Sequence, residues 1–165
     1  MNSVFNTLTA ARPVFSPGQV VQGEWRLFAG AENVVPDSFL RMQLALQASG
    51  GVVTGDAFSV LLRHHCDQPL SLLARWIVSR EIVSFEIDSQ RWLPMFQFVR
   101  PLMTVHSGVS RVIGELNGVF DELELAEWFA TPNSWLAGIL PAMLISTNMD
   151  EVLAAARADR FVAVG

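Results

Sequence analysis

Residues 107–130, SGVSRVIGELNGVFDELELAEWFA, decide the fold class. Val109, Val112, Ile113, Leu116 and Phe120 recur at the three- and four-residue spacing that puts apolar side chains on one face of a helix. Asp121-Glu122-Leu123-Glu124 has the form of a capping box, in which an N-cap side chain and a Glu three residues on satisfy each other's backbone N–H groups. It predicts a second helix carrying Leu125, Trp128 and Phe129, ended by Pro132-Asn133. Trp135–Leu144 reads as a turn-rich apolar link. Asn148-Met149-Asp150-Glu151 has the form of a second capping box and opens a last helix with Val152, Leu153 and Ala156 inward. Phe161–Gly165 reads as an apolar tail. After Pro101 the pattern is helical to the end.

Upstream, the signals are shorter. Pro36 suits a first helical turn, and Phe39, Met42 or Gln43, and Leu46 share a face, so Pro36–Ser49 reads as a helix stopped by Gly50-Gly51. Val52-Val53 is short and extended. Thr54 offers an N-cap for a helix to about His65 with Phe58, Leu61 and Leu62 inward. Pro69 starts another, to about Arg80, with Leu70, Leu73, Ala74 and Ile77 inward. Ile82–Ile87 and Trp92–Phe98 read as two strands around an Asp88-Ser89-Gln90-Arg91 turn. Two helices followed by a hairpin is the order of a winged helix-turn-helix. Residues 1–35 hold Pro13, Pro17, Gly18, Gly23 and Gly30, which break long elements, and read as an extended arm with a short strand over Val20–Phe28.

The expected architecture is thus mainly α. It comprises an arm (1–35), a winged-helix-like part of helices and a β-hairpin (36–100), and a C-terminal domain of three to four helices (101–165).

Composition narrows the function. The chain of 165 residues is 51% apolar and 16% charged, against an average charged fraction of roughly 25%. So large an apolar share fits a well-filled core, and equally a homodimer or a face that docks a partner. All eleven basic residues are arginine. Residues 1–100 hold eight Arg and eight acids, net zero; residues 101–165 hold three Arg and eight acids, net −5. Phosphate binding needs clustered positive charge, so DNA contacts are expected only from the first hundred residues, through Arg75 and Arg80. One cysteine, no visible signal peptide and no apolar run near the ~20 residues that span a bilayer lead to the expectation of a cytoplasmic protein with no membrane contact.

Catalysis finds little support. His64-His65-Cys66 are adjacent, and adjacent side chains on a helix diverge, whereas zinc needs three or four converging ligands. The other histidine is His106. Asp121, Glu122, Glu124 and Glu127 sit where a helix N-terminus favours carboxylates. The expectation is no catalytic site, no metal and no cofactor. Four aromatic residues, Trp128, Phe129, Trp135 and Phe161, fall in the last 40 residues. They suit a core, and Trp also suits an interface.

Residues 126–144, A-E-W-F-A-T-P-N-S-W-L-A-G-I-L-P-A-M-L, and 152–162, V-L-A-A-A-R-A-D-R-F-V, carry a likeness to a known family. The segment resembles the toxin-binding domain of Xre/MbcA/ParS-type antitoxins. The matching positions are Trp128, Phe129, Pro132, Asn133, Leu136, Gly138, Pro141, Val152, Leu153 and Ala156. Leu93-Pro94-Met95-Phe96-Gln97-Phe98 is similar to the Pro-x-x-Gln-Phe strand that often precedes that domain, so the likeness covers about residues 92–162. The chain departs from the family at Leu136-Ala137-Gly138-Ile139-Leu140-Pro141, where members commonly have Leu-Gly-Gly, a polar residue and Thr-Pro. Nor do residues 1–90 match a typical Xre-type DNA-binding domain.

The resemblance implies a bacterial antitoxin, dimeric, whose C-terminal end covers the active site of a RES-type toxin, an NAD-consuming enzyme. The residues expected to bind that partner are Trp128, Asn133, Trp135, Arg157, Asp159, Arg160 and Phe161. The competing expectations are a DNA-binding regulator using residues 54–98, and an orphan dimeric homologue without a toxin.

Overall fold

The computed structural model describes residues 36–165, and these are mainly helical, with seven α-helices and two small sheets. The expected arm over residues 1–35, with its strand at Val20–Phe28, lies outside the described residues. Among the described residues no helix is long and apolar enough to cross a membrane.

Helix α1 (Asp37–Leu46) follows Pro36 and buries Phe39, Met42 and Leu46, as the spacing predicts. Gly50 and Gly51 stop it with φ of 109° and 77°. A Cβ on Gly50 would also lie 2.8 Å from the Arg100 guanidinium and 3.0 Å from the Met95 Cβ, so backbone and packing both require glycine there. Strand β1 (Val52–Thr54) leads into α2 (Gly55–Leu62), whose first turn is capped by Thr54 Oγ1 accepting from the Ala57 N–H at 3.2 Å. α2 is shorter than expected. Its inner face is Phe58, Ser59 and Leu62, while Leu61 is 43% exposed. Ser59 satisfies its buried hydroxyl by donating to the Gly55 carbonyl at 2.8 Å.

Helix α3 (Pro69–Val78) is rotated relative to the expectation. Leu73 and Trp76 are buried, whereas Leu70 and Ala74 face outward. The reason is size: Trp76 packs on Phe98 with ring centroids 6.0 Å apart, and its large apolar area takes the inner face.

Strands β2 (Phe85–Ile87) and β3 (Gln90–Pro94) form a hairpin tighter than expected. The turn is two residues, Asp88 and Ser89, at φ of 52° and 60°. Two positive φ values match the right-handed twist of a hairpin. The sheet order is β1-β3-β2, all antiparallel, with Val53 opposite Leu93 and Phe85 opposite Trp92.

The second expected strand does not run on to Phe98. Pro94 has no N–H to extend the ladder, and Met95–Gln97 form a 3₁₀ turn. There the Gln97 side chain, fully buried, takes the ladder's place. Its Oε1 accepts from the Val83 N–H at 2.6 Å, and its Nε2 donates to the carbonyls of Val83 and Pro94 at 2.9 and 2.8 Å. Strands β4 (Phe98–Val99) and β5 (Thr104–Val105) then make a second small ladder, where uninterrupted helix was expected after Pro101.

Four helices complete the chain: α4 (Ser107–Leu116), α5 (Glu122–Ala130), α6 (Pro141–Leu144) and α7 (Met149–Val164). Gly108 lets α4 and α7 meet closely; a Cβ there would lie 2.7 Å from the Met149 side chain. The expected capping box at Asn148 does not form: its side chain accepts no backbone N–H, and its amide donates to Glu151 at 3.2 Å instead. The expected tail is helical to Val164.

Two clusters form the core. One joins α1, β2, Phe96, α4, α5, α6 and α7. The other holds Phe58, Leu62, Leu73, Trp76, Ile82, Leu93, Met95, Phe98 and Met103. The expected boundary at residue 100 is therefore not a boundary of packing, because Phe39, Met42 and Leu46 share a core with Val112, Phe129 and Val152. Replacing Gln97 by Leu keeps the volume and strands the backbone polar groups it satisfies at Val83 and Pro94. We expect a loss of about 3 kcal/mol, from three backbone groups, the Val83 N–H and the Val83 and Pro94 carbonyls, that lose their partner, read as a lowered midpoint in urea unfolding at unchanged slope.

Candidate protein-binding site

Helix α5 is anchored at its start and shaped at its end. Asp121 Oδ1 accepts from the Leu123 and Glu124 N–H groups at 2.9 and 2.8 Å, and Glu124 Oε2 accepts from the Asp121 N–H at 2.9 Å. The helix buries Ala126, Phe129 and Ala130, which leaves Trp128 half-buried at its edge. Pro132 follows. Asn133 then organises the loop: its Oδ1 accepts from the Trp135 N–H at 2.9 Å, and its carbonyl from the N–H groups of Leu136 and Gly138 at 3.0 and 2.9 Å. Ala137 and Gly138 are left-handed, at φ of 55° and 79°, and return the chain so that the Asn133 N–H reaches the Ile139 carbonyl at 3.2 Å.

This loop meets α7 at Asp159. Its Oδ2 accepts from Trp128 Nε1 at 2.8 Å and from Asn133 Nδ2 at 2.6 Å; its Oδ1 accepts from Trp135 Nε1 at 2.9 Å. An ionised carboxylate offers about four acceptor sites and no donor, and three neutral N–H groups fill three of them. Hydrogen bonds to a charged acceptor are stronger than neutral ones. Two indoles are thereby fixed by their polar edges. Trp128 is also braced edge-on by Phe129, with centroids 5.0 Å apart. Trp135 is 60% exposed, so its ring is held at one edge and open elsewhere.

The other side of α7 carries a second arrangement. Arg157 Nε donates to Glu115 Oε1 at 2.9 Å. Arg160 Nη1 donates to the Glu115 backbone carbonyl at 3.1 Å, one of the α4 terminal carbonyls that lack a partner within their own helix. α7 continues past this contact. Phe161, Val162 and Val164 are 76%, 70% and 69% exposed. Glu115, Arg157, Arg160, Phe161, Val164 and Gly165 line a groove of about 470 Å³.

Of the residues expected to bind a partner, Trp128, Asn133, Trp135 and Asp159 form one hydrogen-bonded cluster. Arg157, Arg160 and Phe161 line a separate groove. The two expected DNA contacts are apart from both: Arg75 is exposed on α3, and Arg80, at φ 53°, lies beyond the end of α3 and donates to Asn117 Oδ1. Glu115 is absent from the sequence-based set, since nothing local ties it to an arginine 42 residues away. His106 is the N-cap of α4, its Nδ1 accepting from the Gly108 N–H at 3.2 Å. His64 and His65 are exposed past the end of α2, and Cys66 packs half-buried on the second cluster. Among the described residues no three His, Cys, Asp or Glu side chains converge as a metal site would require.

No protein-family model, no curated protein and no solved structure matches the chain. The geometry therefore carries the functional argument. Asp159→Ala removes the shared acceptor of three N–H groups, two of them on half-buried or buried side chains. We expect about 2 kcal/mol of destabilisation and a red-shifted tryptophan emission as the indoles reach water. Unchanged emission would show that the carboxylate does not fix the rings.

Proposed function

We propose that this chain is an antitoxin-like module that binds and neutralises a protein partner through the end of α7. One observation carries the proposal: the last turn of α7, Phe161–Val164, is apolar and exposed beside two guanidiniums. An aromatic anchor next to arginine is the composition of an interface hot spot. The rigidly held Trp135 supplies a second exposed aromatic surface. On this reading the likeness of residues 92–162 to Xre/MbcA/ParS-type toxin-binding domains makes the partner a RES-type, NAD-consuming toxin, and the working form a cytoplasmic homodimer. The role is binding, not catalysis.

A second reading is a DNA-binding regulator. The order α1-β1-α2-α3-β2-β3 with sheet order β1-β3-β2 supports a winged-helix arrangement in which α3 would be the recognition helix. Its outer face argues against DNA. Leu70, Ala74 and Val78 face outward along with Arg75, where a groove-reading helix presents several polar or basic side chains.

Co-expression with the product of the adjacent gene, followed by pull-down, tests the proposal. A stable complex that abolishes NAD consumption is the expected result; a chain recovered without any such partner overturns it in favour of an orphan homologue or the regulator. Within the complex, Phe161→Asp and Arg160→Ala should each weaken binding at least tenfold, about 1.4 kcal/mol, while the free protein still unfolds in one cooperative transition. Neutralisation by a chain truncated after Ala158 would rule out the end of α7 as the contact. For the regulator, retention of duplex DNA that falls steeply with salt is the required signature.

A further inference from the structure

The acidic half of the chain concentrates its cations. Residues 101–165 hold three arginines against eight acids, and two of the three, Arg157 and Arg160, line the groove at the end of α7. Glu115 lies between them, 2.9 Å from Arg157 Nε and, through Oε2, 3.9 Å from Arg160 Nη1. This carboxylate is poorly placed for its own helix. It is the penultimate residue of α4, where the negative end of the helix dipole disfavours an anion. Arg160 already serves that end through the Glu115 carbonyl. Among the described residues neither arginine has a partner other than Glu115, so each keeps unused N–H donors facing the groove. Phe161 and Val164 complete the lining and are open to solvent.

We propose that Glu115 is an internal stand-in for a partner's carboxylate. It occupies the Arg157–Arg160 pair until an acidic, apolar segment of a protein enters the groove and displaces it. The proposal rests on the reading of the α7 end as a protein-docking surface. One carboxylate leaves the guanidiniums as another arrives, so the arginines stay paired throughout, and the released Glu115 turns to water. The exchange is easy because the two arginine side chains are 59% and 49% exposed, and exposed ion pairs are weak. Net binding comes from covering Phe161 and Val164.

The test uses the full chain and a capped Glu-Leu-Glu-Phe-Glu peptide as probe, titrated calorimetrically and by the Arg Nε–Hε resonances. Glu115→Gln should bind the probe about fivefold tighter than wild type, the order expected from removing one exposed ion pair. Glu115→Asp, whose shorter side chain draws the carboxylate back, should also bind tighter. Arg157→Gln combined with Arg160→Gln should weaken binding about fivefold or more, since the incoming carboxylates then find no partner. If Glu115 only braces α4 against α7, both Glu115 variants will bind the probe no better than wild type, and the proposal falls. It falls equally if a single-stranded oligonucleotide is held and the peptide is not. A toxin complex that forms while Glu115→Gln fails to tighten the peptide leaves the antitoxin reading standing without this exchange. Tighter peptide binding with no toxin complex does the reverse.

Discussion

The described fold depends on one buried amide. Gln97 pairs with both backbone polar groups of Val83, as a neighbouring strand would, at a place where Pro94 has ended the real ladder. The two segments it joins each divide their side chains between the two cores. Ile82 enters one cluster and Val83 the other; Met95 and Phe98 enter one and Phe96 the other. A chain that serves two apolar cores from consecutive residues cannot bury its backbone between them without a polar partner. A glutamine side chain is long enough to supply both a donor and an acceptor to the backbone of one residue. The Gln97 carbonyl accepts from the His106 N–H at 2.8 Å, and His106 caps α4. The seam between the cores and the start of the C-terminal helices are therefore set by the same residue.

From that seam the candidate site follows by geometry. α4 and α7 pack through Val109, Val112, Val152 and Ala156, with Gly108 permitting their approach. This burial fixes the rotation of α7, and hence which residues of its last turns face where. Asp159 turns towards α5 and the Asn133 loop; Arg157 and Arg160 turn towards the end of α4. The apolar face of α7 ends at Ala156. Beyond it Arg157, Asp159 and Arg160 tie the helix to its neighbours by polar contacts, and Phe161, Val162 and Val164 of its final turn are exposed.

Much of this was legible in the sequence, for physical reasons that can be named. The Asp121 capping box, the Thr54 cap and the Gly50-Gly51 stop are local, and local signals are encoded within four residues. The inner face of α4 follows from spacing because its competing side chains are polar or glycine; α1 turns Phe39, Met42 and Leu46 inward although Leu40 and Leu44, on its exposed side, are apolar too. α3 misled because its apolar residues run nearly all the way round; only the docking of Trp76 on Phe98 selects the face. The hairpin turn was misplaced because Asp88 and Ser89 adopt left-handed backbone without glycine. At the site, Trp128, Asn133, Trp135 and Asp159 each stand out by residue type, but the convergence of the first three on the Asp159 carboxylate depends on contacts spanning 24 to 31 residues. The Glu115 contacts with Arg157 and Arg160 span 42 and 45 residues and leave no local trace.

The two cores also differ in when they can exist. Every buried member of the smaller cluster lies between Phe58 and Met103. The larger one needs Phe39 from the first described helix and Ala156 from the last. During synthesis on the ribosome the smaller core can close while α7 is still being translated, whereas the larger one waits for it. Until then Phe39, Met42 and Leu46 have no α7 to close over, and such transiently open apolar surface is prone to aggregate. The segment that completes the larger core is the one that ends in the exposed Phe161 turn, so the docking surface and the finished fold emerge together.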